Sequence, residues 1–279
     1  MVVEFLITVG VLCLMGGGWL WRRRRVVKLD GVPRIDPRIL RTVPHEPRSH
    51  TQGLFFRNGE LWESTGLHGH STLRQVDRNS GKVVRSIKVP EKYYAEGAAC
   101  LGDRIVQLTW RNEVALIYDV KNLNIMDHYT YKGEGWGLAS DGLRFYMTDG
   151  SDWLTYRGEK FDVIRRVPVR ACGRGVRRLN ALDYVEGKLL VNVYGLDDIL
   201  VIDPITGQVQ AVISCHEMAA TQCQRKRGEV LNGIAYDPHT GQIYLTGKGW
   251  DRYYVVQVDE IIRPVSLLVD DNLGMESAI

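Results

Sequence analysis

A pattern repeated five times limits the folds open to this chain more than any other feature of its sequence. Each copy has a polar or aromatic residue before a glycine or alanine, then a short apolar run, a turn and a second apolar run. The copies are TQGLFFRNGELWESTG, AEGAACLGDRIVQLTW, GWGLASDGLRFYMTDG, LNALDYVEGKLLVNVYG and LNGIAYDPHTGQIYLTGKG. Their glycine or alanine falls at positions 53, 97, 137, 181 and 233, a period of about 40 to 52 residues, which is typical of a four-stranded propeller blade. The pattern therefore predicts an all-β, five-bladed β-propeller.

The predicted blades bring one position of each repeat to the same end of the molecule. The innermost strand of every propeller blade lines the central channel, so residues at equivalent strand ends converge on one axial opening. The residues at this position are Gln52, Glu96, Trp136, Asn180 and Asn232. The apolar strand near residues 39–43 is expected to complete the blade that holds the carboxyl-terminal strands, because such closure removes exposed strand edges.

An uncharged apolar stretch occupies residues 5–21 and is long enough to span a thin membrane or to form the core of a signal peptide. Glu4 is the only charged residue before it, whereas four arginines follow at residues 22–25. A signal peptide carries its positive charge before the core, so this order predicts an uncleaved, single-pass membrane anchor with its carboxyl side in the cytosol. The chain is thus divided into an anchor over residues 1–26, a tether over 27–38, the propeller over 39–270 and a tail over 271–279.

The charge balance argues against nucleic acid as a partner. The chain has 36 basic and 33 acidic residues and a formal net charge of +3, and four of the basic residues are the run at 22–25. The remainder is close to neutral, whereas nucleic-acid-binding domains carry clustered positive charge. Five cysteines are few for a disulfide scaffold. Cys215 and Cys223 are close enough to form a local bridge if the domain is lumenal, and free thiols are the alternative if it is cytosolic.

Eight motifs in chain order resemble one enzyme family. They are HTQGLFF, LWESTGLHGHSTLRQVD, AEGAA, DRIVQLTW, GEGWGLASDG, LNALD, IDPITG and VLNGIAYD followed by LTGKGW. Together they resemble the plant and bacterial type of glutaminyl-peptide cyclotransferase, over residues 44–258 or so. The resemblance implies a five-bladed propeller that converts the amino-terminal glutamine of peptides or proteins into pyroglutamate with release of ammonia. It also implies catalysis without a metal or other cofactor.

The chemistry of this reaction suggests a role for one carboxylate. The substrate's α-amine attacks its own side-chain amide, so the enzyme must hold a reactive conformation and move a proton from the amine to the departing nitrogen. Glu96 matches the family's catalytic glutamate, and neighbouring aromatic side chains would raise its pKa toward the working pH. Lys248 in TGKGW is the second predicted catalytic residue, either binding the oxyanion that develops on the amide or orienting Glu96 by charge.

The resemblance also implies a substrate pocket with aromatic walls and amide hydrogen-bonding groups. The predicted substrate-binding residues are His50, Gln52, Tyr94, Trp110, Trp136, Asn180 and Tyr194. Trp110 and Trp136 would enclose the glutamine side chain, although strand tryptophans more often serve packing. His50 stands where the family usually has an aromatic residue and Tyr194 where it has tryptophan, so a more polar pocket and an altered substrate preference are expected. Asp183 in LNALD also replaces the family's longer glutamate.

Other interpretations remain open at this stage. A non-catalytic propeller that binds a peptide or protein on its axial face is the main alternative, since fold does not fix function. A sugar- or lactone-processing propeller is a further alternative and would require a metal centre built from acidic and amide side chains. The pair His68 and His70 lacks a carboxylate or third partner and is more typical of surface residues. Glu134 in GEGWG is a second carboxylate near the opening, with either a structural or a catalytic role. Pyroglutamate formation argues for a lumenal domain, whereas the arginine run argues for a cytosolic one.

Overall fold

The computed structural model describes residues 29–222 and 228–261. The predicted membrane anchor at residues 5–21 and the predicted tail at 271–279 lie outside these ranges, as does Cys223. Within the described ranges, no helix is long and apolar enough to cross a membrane.

The described residues form 23 strands and one short helix. The elements in chain order are β1 (Arg34–Ile35), β2 (Arg38–Pro44), β3 (Thr51–Arg57), β4 (Glu60–Thr65), β5 (Thr72–Val76), β6 (Val83–Lys88), β7 (Ala95–Leu101), β8 (Arg104–Thr109), β9 (Val114–Asp119), β10 (Ile125–Thr130), β11 (Leu138–Ser140), β12 (Phe145–Met147), β13 (Trp153–Arg157), β14 (Val163–Pro168), β15 (Arg170–Ala171), β16 (Arg174–Gly175), β17 (Leu179–Val185), β18 (Lys188–Val193), β19 (Asp198–Ile202), β20 (Val209–Ser214), α1 (His216–Ala220), β21 (Leu231–Asp237), β22 (Gln242–Gly247) and β23 (Arg252–Gln257).

These strands form five antiparallel blades, which confirms the predicted all-β, five-bladed propeller. Blades 1 to 4 are β3 to β6, β7 to β10, β11 to β14 and β17 to β20, and blade 5 consists of β21, β22, β23 and β2. Each repeated sequence pattern supplies the two inner strands of one blade, because its two apolar runs are joined by a tight turn. The apolar core lies between neighbouring blades, where Trp62, Phe145 and Tyr244 are among the fully buried side chains.

The amino-terminal strand β2 closes the propeller, as the sequence predicted. It pairs antiparallel with β23, with Arg38 opposite Gln257 and Pro44 opposite Arg252. The first and last parts of the described chain therefore share one blade, and a strand edge that would otherwise be open is paired.

Part of the segment that was interpreted as a tether packs on the propeller. Strand β1 pairs in parallel with β20 and adds a fifth strand to blade 4. Val32 is buried in the apolar cluster between blades 3 and 4. The tether interpretation overlooked that Val32 and Ile35 have apolar side chains to bury.

Close contact between innermost strands near the axis explains the glycine of the first three repeats. A Cβ atom added to Gly97 would lie 2.5 Å from the backbone nitrogen of Leu138, and one added to Gly137 would lie 2.1 Å from the carbonyl oxygen of Asn180. Gly53 faces the backbone of blade 2 in the same way. A larger residue would separate these strands, so the glycines allow the residues that precede them to converge on the axis.

Candidate active site

A cavity of about 210 Å³ lies at the axial opening where the inner strands begin. All nine residues that the sequence predicted for the site line it, together with one glycine that was not predicted. The lining residues are His50, Gln52, Tyr94, Glu96, Trp110, Trp136, Asn180, Tyr194, Gly228 and Lys248. Asn232 stands behind this lining, where its amide Nδ2 donates to Gln52 Oε1 at 3.4 Å and to the Thr51 carbonyl at 2.9 Å.

Glu96 is a buried carboxylate at the beginning of β7, with 6% of its surface exposed. Gln52 Nε2 donates a hydrogen bond to its Oε1 at 3.3 Å. Burial raises the pKa of Glu96 to about 8; the charge of Lys248 opposes this shift and that of Glu134 adds to it. A carboxyl group with this pKa exchanges its proton near neutral pH, as a proton shuttle must.

Lys248 follows β22 and places a second ionisable group in the cavity. It is 5% exposed, its backbone N–H donates to the Val230 carbonyl at 2.9 Å, and its ammonium lies 5.5 Å from the centre of the Tyr194 ring. Burial lowers the pKa of Lys248, while the negative charge of Glu96 works in the opposite direction. The cavity thus holds one buried acid and one buried base that influence each other's protonation.

Aromatic side chains form the walls of the cavity. The ring of Tyr94 lies 5.7 Å from that of Trp110, and the ring of Trp136 lies 6.2 Å from that of Tyr194 in an edge-to-face arrangement. The indole N–H groups of Trp110 and Trp136 point away to a shared acceptor, Glu134, at 2.9 Å each. Both indoles line the cavity, so each presents part of its apolar ring to a ligand there.

Glu134, whose role the sequence left open, holds the tryptophans in place. Its Oε2 accepts both indole hydrogen bonds, and its Oε1 accepts one from Arg111 Nε at 2.9 Å. The Arg111 guanidinium also stacks 3.9 Å from the centre of the Trp110 ring. Although partial burial opposes the shift, the hydrogen bonds from Trp136, Trp110 and Arg111 lower the pKa of Glu134. Glu134 is thus a charged support behind the wall and does not line the cavity.

The histidines near the opening are not arranged as a metal centre. Burial, followed by the charge of Lys248, lowers the pKa of His50 to about 4, so its imidazole is neutral near pH 7. His68 is exposed and meets the edge of the Tyr94 ring at 5.4 Å, and His70 is exposed as well. Within residues 29–222 and 228–261, no group of three or more His, Cys, Asp or Glu side chains is placed to hold a metal ion.

Asn180 lines the cavity and has a buried side-chain acceptor without a partner among the described residues. It is 2% exposed, and none of the described residues donates a hydrogen bond to its Oδ1. A buried carbonyl oxygen without a partner costs free energy in the folded protein. Its position in the lining therefore suits a ligand that brings an N–H group.

A buried hydrogen-bond network that the sequence did not reveal supports Glu96 from behind. The Ser64 hydroxyl donates to the Glu96 carbonyl, Gln107 Nε2 donates to Ser64 Oγ at 2.8 Å, and the Tyr118 hydroxyl donates to Gln107 Oε1 at 2.7 Å. These polar residues lie on strands of blades 1 and 2, and only the strand register brings them together. Gly228 is the one residue of the cavity lining that the sequence did not predict.

Comparisons with known proteins agree on one family. The sequence model of the glutamine cyclotransferase family matches residues 12–258. The chain is 34% identical over 247 residues to the glutaminyl-peptide cyclotransferase of Arabidopsis thaliana, in an alignment that covers 86% of this chain and 77% of the relative. Its structure is similar to the crystal structure of Myxococcus xanthus glutaminyl cyclase, with a TM-score of 0.77 and 33% identity, covering 81% of this chain and 98% of the other.

Proposed function

This chain belongs to the glutamine cyclotransferase family, and we propose that Glu96 is the proton shuttle with which it converts amino-terminal glutamine into pyroglutamate. Family membership identifies it as a glutaminyl-peptide cyclotransferase that acts on peptide substrates. The proposal concerns how the residues of its cavity carry out this reaction.

The position of Glu96 beside an aromatic slot is the observation that carries the proposal. The walls formed by Trp110 and Trp136 suit the flat, partly apolar side chain of glutamine, and they exclude water from the carboxylate. The pKa of Glu96 is about 8, and that of a peptide α-amine is about 7.7 to 8.0. Since these values match, a proton can pass from a bound α-ammonium to Glu96 at little cost in free energy.

The reaction then proceeds with Glu96 taking two protons from the α-nitrogen in turn. The neutral α-amine forms a bond to the side-chain amide carbon, Glu96 returns the first proton to the departing nitrogen, and the C–N bond breaks so that this nitrogen leaves as ammonia. The Glu96 carboxylate then takes the second proton from the former α-amine, which leaves the neutral five-membered lactam, and Glu96 ends protonated until it loses this proton to ammonia or solvent. No other reactant is needed, because the nucleophile and the leaving group both belong to the substrate.

Lys248 and Asn180 complete the site by binding the amide group. The ammonium of Lys248 stabilises the negative charge that develops on the amide oxygen during attack. Asn180 Oδ1, which lacks a partner among the described residues, accepts a hydrogen bond from the substrate amide N–H. Gln52, held by Asn232 and in contact with Glu96, keeps the carboxylate facing the substrate.

The test is a cyclisation assay of the full-length chain with a short glutamine-initiated peptide in the presence of a chelator. Mass spectrometry follows the loss of one ammonia, and Glu96→Gln is the paired variant. We expect wild-type cyclisation to persist with chelator and the variant to lose about 10²- to 10⁴-fold in kcat, the usual contribution of general acid–base catalysis. Equal rates for wild type and variant would refute the shuttle, and two rates equal to the spontaneous one would support a non-catalytic propeller.

A further inference from the structure

Blade 3 has a buried arginine at a position that is uncharged in every other blade. The strand register fixes the equivalence, since Arg157 lies opposite Phe145 on the neighbouring strand. In each of the other four blades, the residue at the position of Arg157 is also buried. These residues are Val76, Tyr118, Ile202 and Val256. A cation in a core position is costly to bury and is therefore a candidate for a functional role.

Arg157 is only partly satisfied by its surroundings. It is 6% exposed, its Nη1 donates to the Phe161 carbonyl at 2.8 Å, and its Nε faces the sulfur of Met147 at 3.0 Å. The guanidinium also lies 4.6 Å from the centre of the Phe161 ring and 5.6 Å from that of Tyr131. No ion pair joins Arg157 to a carboxylate in the described parts of the chain. Burial consequently lowers its pKa.

A second cavity, of about 420 Å³, lies beside Arg157 between blades 2 and 3. Two other cations on its wall already have acidic partners, since Arg166 pairs with Asp149 at 3.5 Å and Lys132 with Glu113 at 3.3 Å. Asp162 also lines the cavity. Arg157 is therefore the cation on this wall that lacks an ion pair within the described residues.

The second cavity is next to the proposed active site. Glu134, whose carboxylate holds Trp110 and Trp136, lines it. Glu134 thus contacts both walls of the glutamine slot and also borders the second cavity. An extended peptide advances about 3.3 to 3.6 Å per residue, so the second to fifth residues of a bound peptide extend to increasing distances from the slot.

We propose that this second cavity is a subsite for a substrate carboxylate, carried by an acidic side chain among the second to fifth residues of the peptide. The inference rests on the proposed function, since the glutamine must occupy the first cavity. Arg157 supplies the binding group, because a guanidinium forms paired, charge-assisted hydrogen bonds to a carboxylate and a largely buried one is only weakly screened by solvent.

The experiment compares peptides that differ in one charge. Glutamine-initiated pentapeptides carry glutamate at the second, third, fourth or fifth position, and their partners carry glutamine there. The ratio of kcat/KM for each pair is measured with the full-length wild type, Arg157→Met, Arg157→Lys and Arg165→Met. We expect at least one position with a ratio on the order of ten in the wild type, near one in Arg157→Met, and intermediate in Arg157→Lys, which keeps the charge but not the forked geometry.

Arg165→Met is the matched control, because Arg165 lies on the adjacent strand and lines neither cavity. It should keep the wild-type ratio. Arg157→Met places an uncharged residue where four blades already have one, so it should fold, and thermal unfolding checks this.

Ratios near one at every position in the wild type, or a preference that survives Arg157→Met, would overturn the subsite. If even the glutamine-containing partner peptides react at the spontaneous rate, the proposed function fails, and the subsite as stated fails with it.

Discussion

Trp110 and Trp136 donate their indole N–H groups to the same carboxylate oxygen, Oε2 of Glu134, at 2.9 Å each. The two tryptophans come from different blades, at the end of β8 and just before β11. Because one atom accepts both hydrogen bonds, the orientations of both indoles are tied to each other. The width of the slot between them therefore depends on a residue that does not line it.

Removal of the Glu134 carboxylate should weaken substrate binding more than it slows the chemical step. In Glu134→Ala both indoles lose a charge-assisted hydrogen bond, so we expect KM to rise about ten-fold or more with a smaller change in kcat. Steady-state kinetics with a glutamine-initiated peptide measures the two constants separately, and tryptophan fluorescence reports the altered indole environment. Glu91→Gln is the control, since Glu91 pairs with Lys88 on the surface. A fall in kcat with KM unchanged would contradict this role.

The pH dependence of the reaction should follow the charges around Glu96. The productive complex holds one proton between Glu96 and the α-amine, and both pKa values are about 8. Below this pH both groups are protonated and above it both are deprotonated, so kcat/KM should peak at about pH 8. Lys248 lowers the pKa of Glu96 and Glu134 raises it. The optimum should therefore move to higher pH in Lys248→Met and to lower pH in Glu134→Gln.

His50 provides a control for these pH profiles. Its pKa of about 4 keeps its imidazole neutral over the working range, so replacement by phenylalanine should leave both limbs of the profile in place. A limb that disappears in His50→Phe would show that this histidine, rather than Glu96, controls the observed ionisation.

The repeat predicted the fold and four residues of the cavity lining, whereas the other predicted lining residues came from the family resemblance; these are His50, Tyr94, Trp110, Tyr194 and Lys248. Gln52, Glu96 and Asn180 begin equivalent inner strands, so five-fold repetition alone places them at one opening. The role of Glu134 did not follow, because both of its oxygens are engaged through side-chain orientations that a repeat does not encode.

The sequence also did not predict strand β1, helix α1 or the burial of Arg157. Strand β1 has only two residues, Arg34–Ile35, and α1 has five, His216–Ala220, so neither is long enough to show a periodic pattern. Arg157 appears unusual only when the blades are aligned by strand pairing, since its neighbours in sequence give no sign that its side chain is buried.

Glu96 should reduce the stability of the folded protein at alkaline pH. Its pKa is raised to about 8 in the folded state from an ordinary value near 4.5, so the folded protein resists its ionisation. The free energy of unfolding therefore falls as pH rises from about 4.5 to 8 and levels off above that. Glu96→Gln removes this dependence, and we expect it to raise the melting temperature by a few °C at pH 9, on the order of 2 kcal/mol. The two proteins should melt alike near pH 4, and a constant difference at all pH values would contradict the prediction.

A buried ionic network beside the closing blade should have the opposite dependence on pH. Glu63 accepts hydrogen bonds from His45 Nε2 at 2.9 Å, from Arg74 Nη2 at 2.6 Å and from the Tyr253 hydroxyl at 3.1 Å. The other ring nitrogen of His45 lies 2.7 Å from the Trp250 carbonyl oxygen. Although burial opposes it, the charges of His45 and Arg74 hold the pKa of Glu63 well below its usual range.

Glu63→Gln leaves the largely buried Arg74 without its counter-ion. We expect a loss of about 3 to 5 kcal/mol in the free energy of unfolding at pH 7, measured by urea denaturation, with Glu91→Gln as the control that changes little. Because the folded pKa of Glu63 is depressed, its contribution is complete above the ordinary pKa near 4.5 and declines as pH falls below it. The difference between wild type and variant should therefore shrink below about pH 4.5. A difference that grows on acidification would mean that Glu63 is protonated in the native protein and that the network is not ionic.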